Sequence, residues 1–365
     1  MLRMGLFVVQ EYFLRAWGIL PVDLSKDSSQ TKQKCFSWVS LVLGVTLLLG
    51  SFYQSAVQCA VVVCGIISSA GVFKLTNNGD ATLLTVLADL PFCCIHLRGF
   101  LVITLTFFNR HKWMDLKVSF RHLVQTSFPN ETQRLRILDK WKKRSAWFAV
   151  LTFVGHILWE SGDWLYYSTV FPRTYAMNAS SLLSPLPLKI TTWQYLILYT
   201  LFCIVPFILS QQVFICLIVM AGVLMNALKE LRHSIAQCSH ELLENNYRKT
   251  TCCFKAHGSS AKYGNVLDEM IAEKVNMWQI RHMETLVFLR QLNKFFNWML
   301  FVIYGLDFMT CLGFAAHVAN NTSTVIESHV FLLFSAFVFA AYATVFLIPL
   351  VAVFEHVSHS SETGR

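Results

Sequence analysis

The chain has 365 residues, of which 55% are apolar and only 14% charged, with a mean hydropathy of +0.50; an ordinary soluble domain carries about 25% charged residues. Phe alone occurs 30 times against 21 Asp plus Glu, more apolar surface than the polar residues can cover. Disordered chains, collagen-like repeats and small secreted disulfide scaffolds are excluded.

The net charge of +9 lies between long apolar runs rather than along one polar face, which points to orientation in a membrane and against a nucleic-acid partner. The eleven Cys residues are odd in number, fall mostly in apolar runs or basic segments, and lack the paired spacing of a zinc site. A disulfide framework, a structural metal and a cofactor are therefore not expected. Cys252 and Cys253 are acylation candidates at a bilayer surface, with two small half-buried residues the preferred reading.

In chain order, residues 1–35 form a lead-in. Arg3 and Glu11 interrupt its apolar stretch and no small-residue cleavage site precedes SKDSSQTKQK, so a cleaved signal peptide is not expected. A bilayer core of about 30 Å needs roughly 20 apolar helical residues, and six runs qualify: 37–64, 83–108, 146–169, 191–225, 295–318 and 329–354. The predicted architecture is an all-α polytopic membrane bundle of about six spans over residues 36–354, with a short tail at 355–365. The first apolar stretch, Phe36 to Phe73, is read as one tilted span followed by an interfacial segment; splitting it in two would place the basic lead-in outside.

Segments 1–35, 109–145 and 355–365 hold 16 Lys plus Arg in 83 residues, against 3 in the 49 residues of 65–82, 170–190 and 319–328. The basic segments are therefore assigned to the cytoplasm. Glycosylation sequons at Asn178, Asn320 and Asn321 all fall on the predicted outer side, whereas the sequon at Asn130 falls in a basic segment and should be silent.

The fourth span should continue into the cytoplasm, because Met220, Leu224, Leu228, Leu231, Ile235 and Leu242 carry an apolar stripe through increasingly polar sequence. A second stripe, Met283, Leu286, Val287, Leu289, Leu292 and Phe296, approaches the fifth span with no Gly or Pro between Gly264 and residue 304. Residues 226–294 are thus predicted as a cytoplasmic helical segment. Its stripes should pack chiefly against each other, and the segment CSHELLENNYRKTTCCFKAHGSSAKYG between them is read as mobile. Such a skirt also offers a surface for assembly into a symmetric oligomer, since apolar burial in water is favourable at about 25 cal/mol/Å².

Ionisable groups inside predicted spans are costly and so are candidate functional residues. Arg98 lies in the middle of the second span near His96, Glu160 and Asp163 in the outer half of the third, and Asp307 in the middle of the fifth. An interhelical ion pair, for example Arg98 with Glu160, is as good a reading as a ligand site. Trp159, Trp164, Tyr166 and Tyr167 crowd the same outer part of the third span, where an aromatic belt is the first explanation. A cavity lined by them would also suit a small polyhydroxylated or cationic organic molecule. Gln211 and Gln212, preceded by Pro206, complete the candidate set. No GxSxG, HExxH, Walker A or Gly-rich dinucleotide string occurs, so an enzyme is not expected. The two His of the terminal EHVSHSS are read as solvated rather than as metal ligands.

Two motifs carry a resemblance. FLRAWGILPVDL (Phe13 to Leu24) places Gly-x-x-Pro shortly before the first span, and RHMETLVFLRQLNKFFNWML (Arg281 to Leu300) sets His282, Leu286, Leu292, Asn293 and Phe296 before the fifth. In these and in its cytoplasmic lead-in and long segment between spans four and five, the chain resembles the insect gustatory receptor family of the arthropod chemoreceptor superfamily. The resemblance implies a plasma-membrane receptor whose outward cavity takes a small-molecule tastant, in homo- or hetero-tetramers that conduct cations. The family's seventh span, with Thr-Tyr and a later Gln, has no match here; YATVFLIPL from Tyr342 is the nearest string. Conduction is accordingly expected to need a pore-bearing partner subunit. A G-protein-coupled receptor is the runner-up, though neither a DRY-like triplet nor NPxxY occurs, and a secondary transporter is the third reading, though no internal repeat is visible.

Overall fold

The computed structural model of the chain describes residues 5–20, 30–69, 83–169, 192–252 and 260–321, with side chains given for the inner parts of these helices. Secondary structure there is helical and no strand occurs among the described residues. After a 3₁₀ turn at Gly5–Phe7 come α1 (Val8–Ala16), α2 (Gln30–Ser69), α3 (Leu83–Phe108), α4 (Arg110–Ser127), α5 (Glu131–Thr169), α6 (Thr192–Tyr199), α7 (Val205–Cys252) and α8 (Ser260–Asn321). A π-helical turn at Thr200–Ile204 joins α6 to α7 just before Pro206. Because Pro206 has no N–H to donate, the carbonyl one turn earlier loses its partner, and a wider turn is a low-cost way to absorb the mismatch.

α1 ends in a Schellman motif. Gly18 adopts φ +72°; its N–H donates to the Arg15 carbonyl at 3.0 Å, and the Ile19 N–H reaches back to Leu14 at 2.8 Å. This left-handed position is where glycine carries no Cβ penalty. The reversal also lays Gly18 against Ser40 and Gly44 of α2, a separation that a Cβ at either glycine would not fit. The Gly of the Gly-x-x-Pro string thus has a physical job. α1 is itself a packed element: Leu6, Phe7, Leu14, Ile19 and Leu20 are buried, and the Gln10 side chain donates to the Ser145 carbonyl at 3.2 Å.

α2 is one helix of 40 residues, about 60 Å long at 1.5 Å per residue. No tight turn divides it, in keeping with a single span through the first apolar stretch. It runs antiparallel to α3: Gly44 lies against the Phe107 ring, the Phe52 and Phe100 rings are 5.5 Å apart, and the Cys59 and Cys93 sulfurs are 3.3 Å apart. Among the described residues, two segments are long and apolar enough to cross a membrane, Trp38–Ala60 and Ile197–Glu241, and the shorter Cys93–Phe108 is also apolar. They differ in surroundings, with 28% of the first span's apolar window buried against 72% of the second's. Every residue from Ile208 to Leu224 is buried, as expected of a helix apolar on all sides that serves as a core.

The chain divides into two compact units, one of residues 1–110, 144–218 and 296–365 and the other of 111–143 and 219–295. The second comprises nearly all of α4, the first turns of α5, and the long polar arms of α7 and α8. Its core is aromatic and antiparallel: Trp113 meets Phe295 at 5.5 Å and Phe120 meets Phe288 at 5.6 Å between ring centroids.

Two expectations are corrected in this unit. The segment between the stripes is largely helical, since α7 runs to Cys252 and α8 begins at Ser260; SHELLENNYRKTTC contains no Gly or Pro, so nothing in it stops the fourth helix. The stripe leading to the fifth span is also displaced. Phe288, Leu292, Phe295, Phe296 and Met299 are buried, whereas Met283 is 57% and Val287 40% exposed. Apolar residues lie on both sides of α8 here, so periodicity allowed more than one face, and the α4 aromatics select the one carrying Phe288 and Phe295. The predicted sixth span at 329–354, the tail at 355–365 and the sequon at Asn178 lie outside the described residues, as do the side chains of Asn320 and Asn321.

Candidate functional site

The polar groups gather where α3, α7 and α8 of the first unit meet. Arg98 lies in the C-terminal half of α3 and is 1% exposed. Its Nε is 3.1 Å from Asp307 Oδ1 on α8, and the Asp307 side chain is only 10% exposed. Its Nη2 donates to Gln211 Oε1 on α7 at 3.4 Å. The guanidinium carbon stands 5.1 Å from the centroid of the Phe207 ring, within range of a cation–π contact. His156 of α5 stands T-shaped to that same ring with centroids 4.7 Å apart, and His96, two residues before Arg98, is T-shaped to Tyr199 at 5.5 Å.

The backbone explains why Arg98 reaches this place. Its neighbour Gly99 faces the start of α7, where a Cβ would come within 2.9 Å of the Phe207 nitrogen and 3.1 Å of the Pro206 carbonyl carbon. Only a residue without a side chain lets the two helices approach so closely. The approach carries the Arg98 fork beside Gln211 and over Phe207. On the other side, α3 and α8 run antiparallel, the Thr106 hydroxyl meeting the Met299 sulfur at 3.8 Å. That register sets Asp307 level with Arg98.

Arg98, Gln211 and Asp307 are therefore brought together from three separate helices. Asp307 supplies a carboxylate to Arg98, and the Glu160 side chain, the partner given as an example from sequence, lies outside the described residues; sequence order has no information on which of several buried carboxylates shares a level with a given arginine. The side chains of Trp159, Glu160, Asp163, Tyr166 and Tyr167 lie outside the described residues, although α5 itself extends to Thr169. Gln212 is buried next to the cluster, and its Oε1 has no hydrogen-bond partner among the described residues. Ser51 and Ser55 of α2 are likewise buried with unpartnered hydroxyls among the described residues. Of the motif residues, Leu292 and Phe296 are buried, Leu286 is half-buried, and His282 and Asn293 are exposed.

Phe207, His156 and Gly99 were missed from sequence. A Gly directly after a buried Arg, and a Phe directly after a mid-span Pro, are the local signals that could have found two of them; His156 carries none. Chemically, the cluster is one cation and one carboxylate held in apolar surroundings with amide and aromatic partners. It can fix the relative position of three helices or receive a polar group of a ligand, and no group of three or more metal-ligating side chains occurs among the described residues. No protein-family model matches the chain, and no curated protein matches it by sequence comparison.

Proposed function

We propose that the chain is a multi-pass plasma-membrane chemoreceptor of the gustatory type, with about six spans and a cytoplasmic N-terminus, that binds a small organic tastant. In this reading it is one subunit of a ligand-gated cation channel, assembled as a homo- or hetero-tetramer with related subunits. The observation that carries it is the Arg98–Asp307–Gln211 cluster buried among apolar helices, since ionisable groups at such depth are retained where they gate, bind or relay. Further support comes from α2, whose exposed Trp38, Val42, Leu49 and Phe52 form an apolar surface suited to lipid. The motif residues and charge distribution described above supply the family.

Coexpression with a pore-bearing gustatory subunit, followed by calcium imaging over a panel of sugars, alkaloids and amino acids, tests the reading. A tastant-dependent response that is absent with the partner alone is expected. Surface-delivered protein that changes no response with any partner would overturn it. Glycosylation at Asn178 but not at Asn130 is the matching expectation for topology.

A secondary transporter is the second reading. The π turn and Pro206 interrupt a helix beside a buried ion pair, and transporters place substrate and coupling ions at such interruptions. Concentrative uptake of the active tastant into vesicles, dependent on a proton or sodium gradient, would favour it over a receptor.

A further inference from the structure

Just N-terminal to Arg98 along α3, two thiols from different helices face each other. Cys59 Sγ on α2 and Cys93 Sγ on α3 are 3.3 Å apart. Cys93 is buried, Cys59 is half-buried, and Val62 and Leu90 pack around them. The opposition is not a local accident, because it continues the register set by Gly44 against Phe107 and Phe52 against Phe100. Cys94 is the next residue along α3 and is also buried, but successive helical residues project about 100° apart, and it is Cys93 whose sulfur faces Cys59. A disulfide needs a sulfur separation of about 2.05 Å with Cβ atoms about 3.8 Å apart, so closing this pair takes side-chain rotation and a small approach of two helices already in contact.

We propose that Cys59 and Cys93 form a reversible, peroxide-driven disulfide that ties α2 to α3 on the N-terminal side of Arg98 along α3. The oxidant is hydrogen peroxide, a small neutral molecule able to enter an apolar helix interface that a protein oxidoreductase cannot. Cys59, the less buried thiol, attacks a peroxide oxygen as its thiolate; the O–O bond breaks, one water leaves, and Cys59 becomes a sulfenic acid. Cys93 then attacks the Cys59 sulfur, the S–O bond breaks and a second water leaves. Two thiols and one peroxide thus give one disulfide and two waters, the sulfurs losing the two electrons that the peroxide oxygens gain. A dithiol reductant reverses the bond by exchange. The bond fixes the sliding register of α2 on α3, so peroxide reports directly on the helix that carries Arg98. The absence of zinc-type or disulfide-framework spacing in the sequence is no obstacle, because the pair is made by the antiparallel packing of two helices rather than by local spacing.

The test uses the full chain in membranes. Peroxide-treated and reductant-treated samples are denatured, their free thiols are tagged with a maleimide polymer, and the tags are counted on a gel. Peroxide is expected to remove two taggable thiols of the eleven from the unaltered chain and from C94S, to leave Cys93 taggable in C59S, to remove no more than the single Cys59 thiol, as its sulfenic acid, from C93S, and to be reversed by dithiothreitol. Retention of all tags after peroxide, or loss of the effect in C94S, overturns the proposal. Should C59S or C93S fail to reach the membrane, peptide mapping of the unaltered chain decides. A cross-linked peptide pair containing Cys59 and Cys93 supports the bond, whereas Cys59 oxidised to the sulfinic acid without a cross-link refutes it.

Discussion

The two units of the molecule handle charge in opposite ways. In the first, Arg98 and Asp307 are withdrawn from water and face each other between helices that are otherwise apolar. In the second, the interior is aromatic, built on Trp113 with Phe295 and Phe120 with Phe288, and charged partners such as Lys274 with Glu241 and Lys143 with Asp139 stay at the surface, with Arg281 the buried exception among the described residues. The second arrangement is ordinary economy: ions keep their hydration while apolar side chains leave water. The first has no such account, since desolvating two ions costs several kcal/mol each before their attraction returns any of it. A pair kept on those terms marks a place where position or response matters more than stability.

The largest expected effect breaks the buried pair. Asp307→Leu removes the carboxylate 3.1 Å from the Arg98 guanidinium and should destabilise by about 3–5 kcal/mol, read as loss of surface delivery and of monodisperse protein in detergent. The double variant R98L/D307L should recover much of that loss, because the desolvation of both ions is removed together with their attraction; recovery of folding without recovery of tastant response would separate a binding role for the pair from a structural one.

Gly99→Val should come next. The new side chain meets the backbone of Pro206 and Phe207, which cannot rotate away as a side chain could, so a loss of at least about 1–3 kcal/mol is expected, measured as a lowered melting point in thermal-shift experiments on purified protein. An unchanged melting point would mean that α3 and α7 do not approach as closely as Gly99 allows.

In the second unit the displaced stripe gives a sharp contrast. Phe288→Ala removes a fully buried ring and should cost about 3–5 kcal/mol, whereas Val287→Ala, one residue away and 40% exposed, should stay within about 0.5 kcal/mol. Equal effects would restore the stripe read from sequence.

The smallest effect belongs to the surface pair of α7 and α8. The Lys274 ammonium beside Glu241, with help from Gln237, holds the Glu241 carboxyl below its ordinary value, and the hydrogen bond to Glu241 holds Lys274 above its own. The Glu241 contribution is complete above the unfolded-state value of about 4.3 and is lost as pH falls through the lowered folded value; the Lys274 contribution is complete below about 10.4 and is lost as pH rises through the raised one. Lys274→Met should therefore change stability little at pH 7, and the small difference from the unaltered chain should vanish in acid and in about 1 M salt. A difference that survives both would show that Lys274 acts through something besides its charge.

Much of the helical plan was legible along the chain. The α3 boundaries coincide with the second apolar run, and the absence of Gly and Pro after Gly264 foretold the single long helix that ends the described part of the chain. Gly18 stood out in a motif, and its positive φ explains why that position is a glycine. The candidate site was legible only in part. Arg98, Gln211 and Asp307 are conspicuous as polar residues in apolar runs, yet Phe207 and His156 look like any aromatic residues of a span, and Cys59 and Cys93 like any two of eleven cysteines.

Composition, periodicity and breakers determined that the described chain is helical, where the helices run and which side chains sit out of place in apolar surroundings, because each depends on residues a few positions apart. Which helix faces which, at what level and with what register, was decided only by tertiary packing: Gly99 against Pro206, the aromatic pairs of α4 and α8, and the antiparallel course of α2 and α3. Those contacts join residues far apart in the chain, and no local pattern encodes the closeness of backbones that sets Arg98 against Asp307 or Cys59 against Cys93.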